Sequence, residues 1–248
     1  MSIYGEGAYR CLSCQGEEPL SRNKDQMKKK EWELKCKKCW KPMTPIATRE
    51  NKHLEPASVY ALTKKMQEDM AILFGKTYGI PTFALRYFNV YGPRQSLSNP
   101  YTGVIAIFLS RLLNKRPPLI FEDGFQSRDF ISVKDVARAN LLALNSRNND
   151  QHAVNIGTGQ RTTVLEISRT LAQGLKIRTT PRILGRFRAG DVRHCFSDPT
   201  LAGDILDFRA EVSLKEGIDD LIASSNRQRP TDNLTQAIRE LDQKDLIQ

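Results

Sequence analysis

Short apolar segments alternate with segments of helical periodicity from residue 58 to residue 226. The first helix is predicted from Ser58 to Tyr78, because Ser58 can cap its N-terminus and Gly79 can end it. A buried strand with the sequence PTFALRYFNVYGP follows and ends in a Gly-Pro turn. Strands that alternate with helices in this way form parallel sheets, so the pattern predicts an α/β fold.

Later segments repeat the alternation, with short strands between helices. These helices are predicted over residues 101–114, from Lys134 to Asn145 after a cap at Ser132, and up to Leu175 after a cap at Thr162 or Thr163. The first helix carries an apolar stripe, which is typical of an amphipathic helix. Its members are Leu62, Met66, Met70 and Leu73.

Residues 9–45 interrupt the α/β pattern with a polar, lysine-rich insertion that holds two C-x-x-C pairs. The cysteines are Cys11 and Cys14, then Cys36 and Cys39, with 21 residues between the pairs. Such pairs favour a metal site over a disulfide. Four cysteines at this spacing suit a tetrahedral structural zinc, as in zinc ribbons. All four ligand positions are filled, which leaves none open for catalysis. Four reduced thiols or regulatory disulfides are the alternatives.

The chain is basic, with 38 Lys and Arg against 28 Asp and Glu and a net charge of +10. A basic balance favours nucleic acid, anionic lipid or phosphorylated partners. The excess is spread along the chain, so we do not expect a nucleic-acid partner. No apolar run is long enough to cross a membrane, and the N-terminus does not have the pattern of a signal peptide. We therefore expect a cytoplasmic protein without a membrane partner.

Tyr60 and Lys64 lie four residues apart on the first predicted helix. This spacing puts both side chains on one face, within reach of a shared ligand. A cation one turn away favours the phenolate, the form of tyrosine that accepts a proton. The spacing alone is a weak signal, because it occurs by chance in many helices and a half-buried tyrosine beside a solvated lysine is its more common explanation.

Several motifs in a fixed order identify a protein family more specifically than any one of them does alone. The series consists of Tyr60-x-x-x-Lys64, LRYFNVYGP (85–93), GFQSRDFISVKDVA (124–137), VNIGTG (154–159) and RAGD (188–191). It resembles the extended short-chain dehydrogenase/reductase family, in the branch of nucleotide-sugar epimerases and dehydratases. The resemblance covers nearly all of the chain outside residues 9–45 and about the last twenty residues.

The resemblance implies a bound NAD cofactor and hydride chemistry on a sugar. Tyr60 would be the catalytic acid/base on the sugar hydroxyl, and Lys64 would hold the nicotinamide ribose. Tyr87 would lie near the nicotinamide. The implied reaction is 4-epimerisation, in which C4 is oxidised to a ketone and then reduced again from the other face.

The same resemblance implies a site for a nucleotide-diphosphate sugar, linked to dTDP or UDP. Ser2 would offer a hydroxyl to the substrate, and Asn89 would contact its diphosphate or sugar. Arg128 and Arg188 would bind the diphosphate, because a planar guanidinium suits phosphate oxygens. Asp191 would orient the nucleotide ribose or Arg188. The alternatives are surface ion pairs for the arginines and a turn role for Asn89.

By the same resemblance, the fold is the C-terminal part of a Rossmann-like parallel sheet, with a small α/β substrate domain and an inserted zinc-ribbon-like module. We expect a remnant of the NAD-binding domain over residues 1–95, interrupted by the insertion 9–45. Residues 96–229 would form mainly the substrate-binding region, and 230–248 a polar tail. The full-length form is expected to be a homodimer.

The family's glycine-rich pyrophosphate loop has no match in the sequence. VNIGTG lacks the third glycine and the later acidic residue, so Gly157 and Gly159 are interpreted as turn residues before a capped helix. The triad Ser or Thr would precede Met1. We therefore expect an N-terminally truncated chain with little activity alone, which needs a partner that supplies the missing strands.

An insertion at this point of the fold resembles a subgroup of dTDP-L-rhamnose 4-epimerases. Two alternatives remain for the function. One is a dehydratase or reductase of the same fold, which is less favoured because Ser2-Ile3 stand where a dehydratase usually has an Asp-Glu pair. The other is an inactive scaffold whose zinc ribbon binds nucleic acid or protein, as the lysines at 28–30 would allow.

Overall fold

The computed structural model describes residues 1–14, 21–22, 24–147, 151–188, 190–225, 228 and 230–248. A short 3-10 helix at Ser2–Tyr4 precedes the first strand. The strands in this part of the chain are β1 (Ala8–Arg10), β2 (Thr44–Ile46), β3 (Thr82–Tyr87), β4 (Asn89–Tyr91), β5 (Leu119–Ile120), β6 (Ser127–Arg128), β7 (Phe130–Ser132), β8 (Gln151–Ile156), β9 (Thr162–Thr163), β10 (Arg182–Ile183) and β11 (His194–Cys195). The helices are α1 (Lys24–Lys28), α2 (Val59–Tyr78), α3 (Val104–Leu113), α4 (Val133–Leu144), α5 (Val164–Gly174), α6 (Thr200–Leu206), α7 (Leu214–Ser225) and α8 (Leu234–Gln243).

Parallel pairing dominates the strands, as the alternating pattern predicts. β3 pairs with β8 from Thr82 opposite Gln151 to Tyr87 opposite Ile156. β4 pairs with β7, β5 with β10, and β6 with β11, all in parallel, whereas β9 joins β6 antiparallel. The fold is therefore α/β and Rossmann-like, with helices α4 and α6 packed on the β3–β8 pair.

The long strand predicted after α2 is two strands, with the break at Phe88. The Phe88 amide still donates to Ile156 O of β8, at 3.0 Å, but the next amide, of Asn89, donates to Asp129 O at 2.9 Å. The chain changes its partner here from β8 to β7. Such a change depends on which strands are neighbours in space, so the local sequence does not reveal it.

Helix α2 begins and ends where its caps predict. Ser58 Oγ accepts a hydrogen bond from the Ala61 amide at 3.1 Å, and Gly79 adopts the left-handed conformation with φ 66°. The small residues Ala61 and Gly75 are buried, and Gly75 is so close to Thr82 of β3 that a Cβ there would lie 2.2 Å from Thr82 Oγ1. Helix α2 therefore packs on β3 through its small residues.

The apolar stripe of α2 lies on the opposite side. Its members are between 49% and 66% exposed, and they are Leu62, Met66, Met70 and Leu73. No described residue covers this face. The expectation that the chain needs further strands from a partner stays a prediction, as does the division into domains.

The predicted caps of α4 and α5 are confirmed. Ser132 Oγ accepts from the Lys134 amide, and Thr163 forms a capping box with Glu166. α5 then packs with α3 and α7 around the largest core. Cys195 is buried, as expected, beside Tyr4. None of the helices in the described ranges has the length and hydropathy that crossing a membrane requires.

Strands β1 and β2 form the base of the insertion, and the rest of the insertion lies between them in sequence. They pair antiparallel, from Ala8 opposite Ile46 to Arg10 opposite Thr44. Its second cysteine pair lies on a tight turn, because the Cys36 amide donates to Lys41 O at 2.9 Å. A small core in this region consists of Tyr9, Cys11, Leu34, Cys36 and Met43.

Candidate active site

A cavity of about 610 Å³ lies between the N-terminal half of α2 and the ends of β3 and β4. Its lining includes five residues that the sequence predicts for cofactor and substrate, and among the others is a glutamine that the sequence does not predict. These lining residues are Ser2, Tyr60, Lys64, Tyr87 and Asn89, and also Gln95. Tyr60 is 64% exposed, so its hydroxyl is accessible to a ligand.

Tyr60 and Lys64 lie on one face of α2, as their spacing predicts. Lys64 Nζ is 5.7 Å from the centroid of the Tyr60 ring, and it donates a hydrogen bond to Gln67 Oε1 at 3.1 Å. The Lys64 ammonium group thus lies beside the Tyr60 ring, and both residues line the cavity.

A buried ion pair fixes α2 against the sheet directly below these two residues. The Arg86 guanidinium donates to both carboxylate oxygens of Glu68, at 2.8 and 2.6 Å, and to the Tyr4 hydroxyl at 2.7 Å. The Tyr4 hydroxyl in turn donates to Asn155 Oδ1 at 2.6 Å. A bidentate pair of this kind sets both distance and rotation, so it holds the face of α2 toward the cavity.

Two side-chain oxygens of the cavity wall lack a partner. Asn89 Oδ1 and Gln95 Oε1 are both buried and accept no hydrogen bond from any described residue. Buried acceptors that remain unpaired cost free energy, so a donor that reached these oxygens would be stabilising. Tyr87 completes this wall, with its hydroxyl held by Asn140 Oδ1 at 2.8 Å.

The predicted diphosphate residues lie outside this cavity, on the segment before β11 and on β6. Arg188 Nε donates to Asp191 Oδ2 at 2.9 Å, and its guanidinium stacks 4.9 Å from the centroid of Phe121. Arg128 donates to the backbone oxygens of Val192 and Arg193, at 2.5 and 3.1 Å. Both arginines are half-buried, and Arg188 forms an ion pair with Asp191.

The VNIGTG turn holds an internal anion. The fully buried Asp129 carboxylate accepts from the Thr158 amide at 2.9 Å, the Gly159 amide at 2.9 Å and Ser197 Oγ at 2.5 Å. At Gly157, a Cβ would lie 2.6 Å from Asp129 Oδ2. The amides that would bind a pyrophosphate in a dinucleotide fingerprint thus already have an acceptor, which supports the interpretation of these glycines as turn residues.

The four cysteines of the insertion come together. Their sulfur atoms all lie within 4.8 Å of one another, and Cys11 Sγ is 3.4 Å from Cys39 Sγ. A tetrahedral zinc with Zn–S bonds of about 2.3 Å places its sulfurs about 3.8 Å apart, so the cluster has the size of such a site. A hydrogen bond from the Cys14 amide lowers the pKa of Cys11 to about 7. Among the described cysteines no disulfide is present.

Residues 39–157 match the model of the NAD-dependent epimerase/dehydratase family. A putative UDP-glucose 4-epimerase of Methanocaldococcus jannaschii is 41% identical over 169 residues, which are 68% of this chain and 53% of that protein. The dTDP-L-rhamnose 4-epimerase of Burkholderia thailandensis is 34% identical over 221 residues, 89% of this chain and 59% of that protein.

The chain belongs to the NAD-dependent epimerase/dehydratase family.

Solved structures of the family superpose on the described fold. The UDP-glucose 4-epimerase of Thermotoga maritima with UDP-glucose gives a TM-score of 0.67 at 38% identity, over 73% of this chain and 57% of that one. The UDP-glucuronic acid 4-epimerase of Bacillus cereus with UDP-glucuronic acid and NAD gives 0.65 at 29% identity, over 73% and 56%. The chain thus spans between half and three-fifths of the length of these relatives.

The residues of the cavity fit the reacting end of the family's cofactor. Tyr60 and Lys64 offer a proton acceptor and a hydroxyl-binding ammonium, and the unpaired oxygens of Asn89 and Gln95 offer acceptors to hydroxyl groups. Gln95 was missed by the sequence analysis, since nothing in its neighbourhood marks it. Glu68 could have been found, because it continues the one-turn spacing of Tyr60 and Lys64.

Proposed function

We propose that this chain carries the reacting site of an NAD-dependent nucleotide-sugar 4-epimerase. The observation that carries the proposal is the cavity in which Tyr60, Lys64, Tyr87 and Asn89 meet. The relatives support it, because those of Thermotoga maritima and Bacillus cereus are 4-epimerases solved with UDP-sugars.

In this proposal, Tyr60, Lys64 and Tyr87 would hold the nicotinamide end of NAD, which when bound would supply the hydride chemistry for oxidation of C4 of the sugar and its reduction from the other face. Tyr60 Oη takes the proton of the C4 hydroxyl during oxidation and gives it back during reduction. Lys64 stabilises the Tyr60 phenolate and binds a ribose hydroxyl. Tyr87 would contact the nicotinamide, Ser2 would offer a hydroxyl to the sugar, and Asn89 would contact the sugar or its diphosphate.

The substrate is proposed to be a sugar linked to UDP or dTDP. Arg188 and Arg128 bind its diphosphate, and Asp191 keeps Arg188 in position. The ion pair of 2.9 Å between Arg188 and Asp191 supports this arrangement. The guanidinium of each arginine would offer its remaining N–H groups to the phosphate oxygens.

The four cysteines, at positions 11, 14, 36 and 39, are proposed to hold a structural zinc in a zinc-ribbon-like module. Four sulfurs close the coordination shell, so this metal takes no part in the redox chemistry. The full-length form is proposed to be a homodimer. The exposed apolar face of α2 supports this, because such a face is typical of an interface.

The test is epimerisation of UDP-glucose, UDP-glucuronic acid and dTDP-L-rhamnose by the zinc-loaded chain, combined with NAD and with the N-terminal strands that it is expected to need, followed by chromatography of the nucleotide sugars. Tyr60→Phe should lower the rate by roughly 10²- to 10⁴-fold, which is the usual contribution of an acid/base group. Tyr78→Phe is the matched control, because Tyr78 is equally exposed on the same helix but outside the cavity.

Three outcomes contradict the proposal. The first is that no 4-epimer forms from any of the three sugars. The second is that Tyr60→Phe and Tyr78→Phe act alike. The third is that a 4-keto-6-deoxy sugar accumulates with loss of water, which would indicate the dehydratase alternative.

A further inference from the structure

A network of buried charges joins the insertion to the segment that carries Arg188 and Asp191. We call residues 187–195 the arginine segment. Arg193 is 1% exposed, and its guanidinium donates to Glu33 Oε1 of the insertion at 2.5 Å. The same guanidinium donates to Glu122 at 3.0 Å and to Asp123 at 2.6 Å. One arginine therefore binds three carboxylates at once, and these come from two separate parts of the chain.

A second arginine links the insertion to the same segment. Arg22 donates to Glu6 at 3.1 Å, to Glu122 at 2.8 Å and to the backbone oxygen of Asp191 at 2.7 Å. Glu6 also accepts from the amide of Arg193 at 2.8 Å. Arg22 thus fixes the backbone of Asp191, the residue that orients Arg188.

Further contacts hold both ends of the arginine segment. At its start, Met27 and Trp32 of the insertion pack on Phe187, with the two aromatic rings 6.4 Å apart. At its end, His194 Nε2 donates to Glu33 Oε2 at 3.1 Å, because a carboxylate can only accept. The Tyr9 hydroxyl accepts from the His194 amide at 3.1 Å.

Two of the side chains that make these contacts are sequence neighbours of the cysteines. Tyr9 stands two residues before Cys11, and Glu33 stands three residues before Cys36. Tyr9 also belongs to the small core that includes Cys11 and Cys36. That core is far too small to fold alone, so a metal must supply much of its stability.

We propose that the metal site of the four cysteines controls nucleotide-diphosphate binding, because the metal-held insertion fixes the arginine segment. Arg22 and Glu33 are the positioning residues, because they act through their contacts with the arginine segment. The inference rests on the proposed function in one respect, namely that Arg188 binds the diphosphate.

The physical basis is the cost of a broken buried ion pair. When the insertion opens, Arg193 loses Glu33 but keeps Glu122 and Asp123, whereas Glu6 loses its ion pair with Arg22. A buried carboxylate without its cation destabilises its surroundings strongly, and because Glu6 also accepts from the Arg193 amide, the arginine segment should open with the insertion. Arg188 then loses its fixed position, and the cost of ordering it again is subtracted from the binding free energy.

The first experiment compares hydrogen exchange of the zinc-loaded chain and of the chain after chelation. Chelation should raise exchange in the insertion and also in residues 187–195, but not in α5, whose core is separate. Adding zinc back should restore both regions. Increased exchange confined to the insertion would overturn the proposal.

The second experiment measures UDP and dTDP binding by calorimetry. Chelation should weaken binding about tenfold or more, within the usual range of coupling between two sites. Glu33→Gln should retain zinc but raise exchange in residues 187–195 and weaken nucleotide binding. Glu31→Gln is the matched control, since Glu31 pairs with Lys35 at the surface of the same insertion.

These measurements separate the two proposals. If exchange in residues 187–195 follows the metal but neither nucleotide binds the zinc-loaded chain, the coupling stands and the role given to Arg188 is wrong. If both nucleotides bind equally well with and without zinc, the coupling is wrong and the nucleotide site stands.

Discussion

Replacing Asp129 with alanine should destabilise the protein without a direct effect on the cavity. The carboxylate accepts from the amides of Thr158, Gly159 and Ser197 and from two hydroxyl groups. In the variant, the Gly159 amide can still donate to Ser197 Oγ at 3.1 Å, whereas the amides of Thr158 and Ser197 lose their acceptor.

A buried amide without an acceptor costs about 1–3 kcal/mol, so two of them give about 4 kcal/mol. For a chain of this size, each kcal/mol lowers the melting temperature by roughly 2–4 °C. Calorimetry should therefore show that Asp129→Ala melts roughly 8–16 °C lower than the wild type. Asp69→Ala, which removes an exposed ion pair of α2, should hardly move the melting temperature.

The opposite result would refute the interpretation of this turn. If Asp129→Ala melts like the wild type and loses NAD binding, the amides of Thr158 and Gly159 serve the cofactor. The turn would then be the dinucleotide fingerprint that the missing third glycine argues against.

Three further predictions concern other parts of the site. Arg86→Met should lower the free energy of unfolding by about 3–5 kcal/mol in denaturant titrations, because it leaves Glu68 buried without its cation. Burial lowers the pKa of His194 below its usual 6.5 although Glu33 raises it, so the folded state resists protonation and the free energy of unfolding should fall as the pH drops below 6.5. His194→Gln should reduce this pH dependence of stability. Melting curves recorded between about pH 7.5 and about pH 5, an interval around the usual histidine pKa, measure it. Asn89→Leu should weaken nucleotide-sugar binding more than UDP binding, because its unpaired oxygen is proposed to face the sugar.

Each of these predictions has an outcome that contradicts it. Arg86→Met would contradict the anchoring role if it unfolds at the same denaturant concentration as the wild type. An unchanged pH dependence in His194→Gln would assign the effect to another group. Equal losses for UDP and for the nucleotide sugar would place Asn89 at the nucleotide.

The sequence predicted those features that depend on local chemistry. The ends of α2 follow from the cap at Ser58 and the left-handed glycine at position 79, and the start of α5 follows from the capping box at Thr163. The Cys₄ cluster follows from ligand spacing. Helices and their caps need only neighbours in sequence, which explains why these elements were found.

Features that depend on distant neighbours were not predicted. The break at Phe88 arises because β3 and β4 pair with different strands. The contacts of Arg193 with Glu33 and Glu122 join positions 160 and 71 residues apart, so no local pattern marks them. For the same reason the sequence did not show that the insertion holds the arginine segment.

The most direct test of the proposed chemistry uses a nucleotide sugar with deuterium at C4. During epimerisation in ordinary water, the label should remain at C4 of the product, because the hydride leaves and returns within one bound complex while Tyr60 handles only the hydroxyl proton. Mass spectrometry of the separated epimers measures this retention. If the label is washed out into the solvent, C4 is deprotonated rather than oxidised, and the role proposed for Tyr60, Lys64 and NAD is wrong.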